Sequence, residues 1–137
     1  MRHQESNIQI ACVNWFKMQY REIESHFFAI PNGGSRPKKM VKTKTGFKWT
    51  SVEASIMKKE GVKAGVADLL LLYPNEEFSF LAIEMKTKTG TQNPNQKEWQ
   101  KSVEKLGIGK YVICRSFDDF EKEIKKYLQS TKFGFVQ

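Results

Sequence analysis

The chain has 137 residues, of which 39% are hydrophobic and 12% aromatic, with only four prolines. This length is typical of one domain with its own core, and this composition excludes a disordered or fibrous protein. The formal net charge of +8 at pH 7 indicates an anionic partner such as nucleic acid. We therefore expect a single domain over residues 1–137.

Several classes of protein are excluded by what the sequence lacks. Cys12 and Cys114 form no CxxC pair, and His3 and His26 belong to no zinc motif, so both cysteines are predicted to lie in the core. No secretory signal is recognisable, and no apolar run approaches the roughly 18 residues of a membrane helix. The P-loop, GxGxxG and GxSxG motifs are absent. We expect a cytoplasmic protein without membrane contact.

The first predicted elements are a helix and a short strand. Residues 5–25 contain no Gly or Pro, and their apolar side chains recur three and four positions apart, which predicts a helix with a broad buried face. The residues on that face are Ile8, Ala11, Cys12, Trp15 and Phe16. Residues 27–30 then predict a strand.

The next segment is strongly basic. After a turn signal at residues 31–35, residues 36–48 hold six basic residues and no acidic one, and we expect a loop here. A lysine-rich run is often only a solvated face. A role in DNA binding is favoured by the Gly-Gly turn, whose amides can approach phosphate, and by the aromatic Phe47 and Trp49 between lysines. The predicted DNA contacts are Asn32, Gly33, Gly34, Arg36, Lys38, Lys39, Lys42 and Lys44.

The second half of the chain predicts three helices and three strands. A helix from about residue 51 to 61 is followed by strands at 67–73 and 78–86, which form a candidate hairpin around the turn at 74–77. Asn93 and Pro94 stand where a helix N-cap and first turn are expected, and that helix ends near Gly107. A strand at 111–115 precedes a helix capped by Ser116 that runs to about residue 129. The predicted order is α, β, α, β, β, α, β, α.

Two carboxylates in the predicted hairpin form a candidate metal site. If the turn centres on residues 75–76, Asp68 lies opposite Ile83 or Glu84, depending on the register. Only the second register puts both carboxylates on one face, with Cβ atoms roughly 5 Å apart, and the strand period of two adds Lys86 to that face. Carboxylates this close need a proton or a cation, and Mg²⁺ is bound in this way. The alternative is that these charges are solvated or salt-bridged at strand ends.

Asp68 and the Glu84-Met85-Lys86 segment resemble the signature of the PD-(D/E)XK nuclease superfamily. More narrowly, residues 5–128 resemble a stand-alone VRR-NUC (virus-type replication-repair nuclease) domain. The supporting segments are residues 5–9, the loop 31–36, residues 61–69 and Gln96. The resemblance implies an α/β fold with a restriction-endonuclease-like core, a small mixed β-sheet flanked by helices.

The resemblance also implies roles for individual residues. The ligands of a divalent metal, Mg²⁺ or Mn²⁺, would be Glu5, Asp68, Glu84 and the main-chain carbonyl of Met85. Lys86 would orient or activate the attacking water and stabilise charge on the phosphate. Gln96 would touch the water or a phosphate, and its alternative role is to cap its helix; the two roles are compatible.

The function that follows is a metal-dependent, structure-specific DNA endonuclease. Family members of this size resemble homodimeric enzymes of bacterial or phage-infected cells that act on branched DNA such as Holliday junctions. One alternative is a non-catalytic DNA-binding module of the same fold. A second is a sequence-specific restriction-type nuclease, for which the chain is short of recognition elements. A third is an RNA-directed nuclease or RNA-binding protein, and no sequence feature marks recognition of a 2′-hydroxyl.

Overall fold

The computed structural model describes residues 2–31, 39–43, 46–50 and 52–129. The helices are α1 (Arg2–Gln19), α2 (Val52–Lys59), α3 (Pro94–Leu106) and α4 (Phe117–Gln129), and a 3₁₀ helix (Arg21–His26) follows α1. The strands are β1 (Phe27–Ala29), β2 (Lys39–Thr43), β3 (Gly46–Thr50), β4 (Leu69–Leu71), β5 (Phe80–Met85) and β6 (Gly109–Cys114). The predicted order is preserved, with β2, β3 and the 3₁₀ helix added.

Four strands form a mixed sheet in the order β1-β4-β5-β6. The β1–β4 and β4–β5 pairs are antiparallel, whereas β5 and β6 are parallel and are connected through α3. A parallel pair requires such a crossover, so α3 must lie against the sheet between its two strands. The predicted mixed sheet with flanking helices is therefore confirmed.

Helices cover both faces of this sheet. On one face, apolar residues of α1 and α4 pack against alternate residues of the strands; the helical contributors include Cys12, Phe16, Phe120, Ile124 and Tyr127. The spacing of three and four residues along α4 places this stripe on a single side of the helix. On the other face, Val103 and Trp99 of α3 pack with Ala82 and Tyr111 of the strands. The side chains of β5 therefore alternate between two different cores.

Element boundaries differ from the sequence-based expectation, most clearly in the first helix and in the strand after α2. The first helix ends at Gln19 because Tyr20 leaves helical geometry, with φ −129° and ψ 60°. The expected strand at 67–73 is only Leu69–Leu71, since Pro74 and Asn75 redirect the chain soon afterwards. The Asn75 carboxamide oxygen accepts bonds from the amides of Glu77 and Phe78, at 2.9 and 2.7 Å. Ala11, predicted to be on the buried face of α1, is exposed.

The expected basic loop is partly a β-hairpin. Strands β2 and β3 pair antiparallel, with Lys39 opposite Thr50 and Thr43 opposite Gly46. Prediction of an irregular loop was wrong here, because Val, Phe, Trp and Thr favour strands even between lysines. Six of the eight predicted DNA contacts lie outside the described residues: Asn32, Gly33, Gly34, Arg36, Lys38 and Lys44.

No helix in the described ranges is long and apolar enough to span a membrane.

Candidate active site

Asp68 and Glu84 lie side by side at the end of the β4–β5 ladder. Leu69 pairs with Ile83, so the next step of the same register sets Asp68 opposite Glu84. Of the two registers that the sequence left open, the structure has the one that brings the carboxylates to a single face. That face is the one covered by α3, because residues 82 and 84 of β5 point the same way.

Main-chain contacts from two strands fix Asp68. Its side chain accepts a hydrogen bond from the amide of Met85, with a distance of 2.7 Å between Oδ2 and N. Its carbonyl accepts the amide of Ile30 at 2.9 Å. Met85, predicted to act through its carbonyl, thus contacts the site through its N–H group.

Glu84 is almost completely buried, with 1% of its surface exposed. The Gln96 amide donates to Glu84 Oε2 at 2.8 Å, and the Tyr111 hydroxyl lies 3.4 Å from Oε1. Lys86 Nζ lies 3.9 Å from Oε2. A buried carboxylate needs such donors, because desolvation without hydrogen bonds costs several kcal/mol.

Gln96 performs two functions at once. With Asn93 it forms a capping box: the Gln96 amide N–H donates to the Asn93 side chain, and the Gln96 side-chain oxygen accepts the Asn93 N–H, both at 2.9 Å. Its side-chain NH₂ group remains free to donate to Glu84. The predicted cap is confirmed, and it also orients the amide toward the carboxylate pair. The N-terminus of α3 is thereby attached to the site.

The two carboxyl groups lie close enough to perturb each other's titration. Burial and, next, the neighbouring Asp68 together raise the pKa of Glu84 to about 8, against the opposing effects of Lys86 and Tyr111. Burial also raises the pKa of Asp68, against the lowering effect of the Met85 amide and of Glu84. In the absence of a cation, burial of two neighbouring carboxyl groups therefore favours a protonated pair.

Glu5, on the first turn of α1, is close enough to be affected by this pair. Burial raises the pKa of Glu5, the Asp68 charge raises it further, and the Lys86 charge lowers it. Within the described residues, however, no three His, Cys, Asp or Glu side chains come together as a metal cluster. The structure brings Asp68 and Glu84 together with Lys86 and Gln96, and the role of Glu5 as a metal ligand remains a prediction.

The segment that follows Lys86 is held by Arg115. The Arg115 guanidinium donates to the carbonyl oxygens of Thr87 and Gly90, at 2.8 and 2.6 Å. The amide of Lys86 itself donates to the Cys114 carbonyl at 3.0 Å. The end of β6 thus fixes the chain on which the lysine is carried.

Sequence reasoning did not identify Tyr111 or Gln92 as part of this site. Gln92 donates to the Tyr111 hydroxyl at 3.1 Å, and the hydroxyl reaches Glu84. Tyr111 was expected only as a core residue of its strand. The available signal was the alternation along β6, which places residues 111 and 113 on the α3 side, beside Ala82 and Glu84 of β5.

Of the predicted DNA contacts, Lys39 and Lys42 lie within the described backbone, as residues of β2. Lys42 pairs with Phe47, and Lys39 pairs with Thr50. Their DNA-binding role remains a prediction.

Comparisons with known proteins agree with this fold. The family model of the VRR-NUC domain matches residues 3–118. A solved structure described as a VRR_NUC domain protein superposes with a TM-score of 0.71 and 24% identity, over 97% of this chain and 95% of that one. No curated protein matches the chain. The family match covers most of the sequence, and its matched range contains Asp68, Glu84, Lys86 and Gln96, so the chain belongs to the VRR-NUC family of nuclease domains.

Proposed function

We propose that the protein is a Mg²⁺- or Mn²⁺-dependent DNA endonuclease that hydrolyses phosphodiester bonds. The observation that carries this proposal is the strand register that sets Asp68 opposite Glu84, with Lys86 3.9 Å from the glutamate. Binding of DNA alone requires no pair of carboxylates, which would repel phosphate. A metal-dependent cleavage site does use them, because they hold a divalent cation against the phosphate.

The residues present fit such a cation. A hard divalent ion prefers oxygen ligands, and one or two carboxylates suffice when waters and phosphate oxygens complete the coordination. Asp68 and Glu84 would hold it, with Glu5 and the Met85 carbonyl as the further candidates. When bound, the ion lowers the pKa of water and neutralises charge on the phosphate. The raised pKa of Glu84 supports this assignment, since a cation relieves the same repulsion that a proton relieves.

Lys86 and Gln96 supply the remaining chemistry. The Lys86 ammonium would orient the attacking water and stabilise negative charge on the phosphoryl oxygens. Gln96 keeps Glu84 oriented by its 2.8 Å hydrogen bond and would contact the water or a phosphate. Both side chains lie on the face that carries the carboxylates.

We further propose that the enzyme acts as a homodimer on branched DNA such as Holliday junctions. A two-fold dimer presents two sites to two strands, as symmetric cleavage requires. The basic segment supports contact with the DNA backbone, because residues 36–48 hold six positive charges and no negative charge. The molar mass in solution, measured by light scattering, tests the dimer: a monomer at all concentrations would contradict it.

The test of catalysis uses purified protein with junction, flap, duplex and single-stranded DNA. Cleavage is expected with Mg²⁺ or Mn²⁺ and should stop in EDTA. Asp68→Asn should abolish it, and Lys86→Ala should lower kcat by about 10²-fold or more, because each removes charge stabilisation in the transition state. Equal cleavage of all four substrates would contradict the preference for branched DNA.

Matched controls separate these effects from loss of charge alone. Asp118→Asn and Lys88→Ala change exposed residues of the same types and should leave kcat unchanged. Undiminished cleavage in EDTA, or full activity of Asp68→Asn, would refute the metal mechanism. DNA or RNA binding by wild-type protein without any cleavage would instead support a non-catalytic module of the same fold.

A further inference from the structure

A cavity of about 740 Å³ opens between α2, the loop at residues 61–65 and the start of α3. Its volume lies within the range of about 300–1,000 Å³ that is usual for ligand pockets, and is far larger than a single ion requires. Two lysines, Lys58 and Lys63, line it together with Asn93 and Asn95, and its lining contains no acidic residue. The chemistry of this cavity therefore favours an anionic ligand with polar groups.

The cavity is connected to the candidate active site through two residues of its lining. Asn93, which lines it, forms the capping box with Gln96, and Gln96 donates to Glu84. On the other wall, Gly65 is only three residues before Asp68 and approaches the main chain of α3 so closely that a Cβ would meet the Asn95 carbonyl oxygen. Asn93 and Gly65 therefore link the cavity to Gln96 and to the segment that carries Asp68.

The lysines of this cavity are not neutralised by neighbours. Both are exposed, and neither forms an ion pair within the described part of the chain. The adjacent Lys59, also exposed, does not line the cavity. An anionic chain that occupies both the carboxylate site and this cavity must carry repeated negative charges, and a phosphodiester backbone does so.

We propose that this cavity holds the nucleic acid strand next to the bond that is cut, with Lys58 and Lys63 contacting its phosphates. The apolar wall formed by Met57 and Val62 gives the sugar or base a surface to pack against. This inference rests on the proposed nuclease function, and it concerns how the substrate is held.

The first test replaces charges. Lys58→Ala/Lys63→Ala should raise KM for duplex or junction DNA by about tenfold at unchanged kcat, and should reduce the slope of log Kd against log salt by about two. Lys59→Ala/Lys101→Ala removes the same charge from exposed positions outside the cavity and should change both quantities much less. Binding is measured by fluorescence anisotropy of labelled DNA in EDTA from 50 to 200 mM KCl, so it does not depend on cleavage.

The second test fills the cavity without changing its charge. Ala64→Trp places a large side chain in the lining and should raise KM while the salt slope stays unchanged. Ala11→Trp, on the exposed face of α1, is its control. If Lys58→Ala/Lys63→Ala and Ala64→Trp give the same KM and salt slope as their controls, the cavity is not a substrate site, even though the nuclease proposal stands. If wild-type protein cleaves nothing, the nuclease proposal fails, and anisotropy alone decides whether the cavity binds DNA.

Discussion

Replacing Glu84 by glutamine tests the carboxylate pair most directly. The amide is the closest neutral substitute for the protonated carboxyl group, and it keeps an oxygen that can accept from Gln96. It removes the charge that burial and Asp68 oppose. We therefore expect Glu84→Gln to stabilise the metal-free protein at pH 8 and to abolish its response to Mg²⁺.

The size of this effect follows from the raised pKa of Glu84. In the folded protein that pKa is about 8, against an ordinary value of 4.5. Because the folded pKa is the higher one, the carboxyl group favours folding at low pH, and this contribution is lost as the pH rises from about 4.5 to 8. Each pKa unit corresponds to roughly 1.4 kcal/mol, so the free energy of unfolding of the wild type at pH 8 is lower than at acidic pH by about 4 kcal/mol at most. If Glu84→Gln recovers half of this free energy or more, its Tm should exceed that of the wild type by roughly 10 °C for a chain of this size.

Thermal unfolding in EDTA and in 10 mM Mg²⁺, at pH 5 and pH 8, measures the effect. The difference between Glu84→Gln and wild type should fall below about 1 kcal/mol at pH 5, where the wild-type carboxyl group is protonated in the fold. Mg²⁺ should raise Tm of the wild type only. Glu98→Gln, at an exposed position of α3, should change Tm little under all four conditions. A Tm difference between variant and wild type that does not depend on pH, or a lower Tm of Glu84→Gln at pH 8, would show that the buried Glu84 charge does not destabilise the metal-free fold.

Two further predictions concern the segments that support the site. Gly65→Ala should destabilise the fold by about 2–4 kcal/mol, since φ is +88° and the new Cβ would overlap the Asn95 carbonyl. Gly61→Ala meets open space at φ +106° and should cost only about 1–2 kcal/mol. Urea unfolding compares the two variants, and equal losses of stability would contradict the close approach at Gly65. Arg115→Ala removes the hydrogen bonds to the segment that ends at Gly90. It should lower kcat about tenfold, whereas the Mg²⁺-induced rise in Tm should persist. An unchanged kcat would show that this anchoring is dispensable.

Local features of the site were predictable from the sequence. The capping box of α3 depends on residues three positions apart, so Asn93 and Gln96 could be identified without knowledge of the fold. The pairing of Asp68 with Glu84 depends on a short connection and on the strand period of two, which reduced the choice to two registers.

Contacts between distant segments were not predictable. Tyr111 reaches Glu84 from 27 positions further along the chain, because β6 joins β5 in parallel only after α3 has crossed the sheet. Arg115 reaches the carbonyl of Thr87 in the same way. No local pattern reveals which strand follows a crossover or how far it is shifted, so these side chains were expected only in the core or at a strand end.

The two carboxylates are held by different kinds of contacts, and this difference bears on how a cation is accommodated. Asp68 is fixed by main-chain partners at Ile30, directly after β1, and at Met85 of β5, so its position is set by the sheet and its immediate continuation. Glu84 is oriented by side chains, chiefly those of Gln96 and Tyr111, which can rotate without moving a strand. A cation that enters the pair therefore finds one ligand already placed and a second that can turn toward it. Such a cation competes with protons for the carboxylate pair, so metal binding should strengthen as the pH rises toward 8.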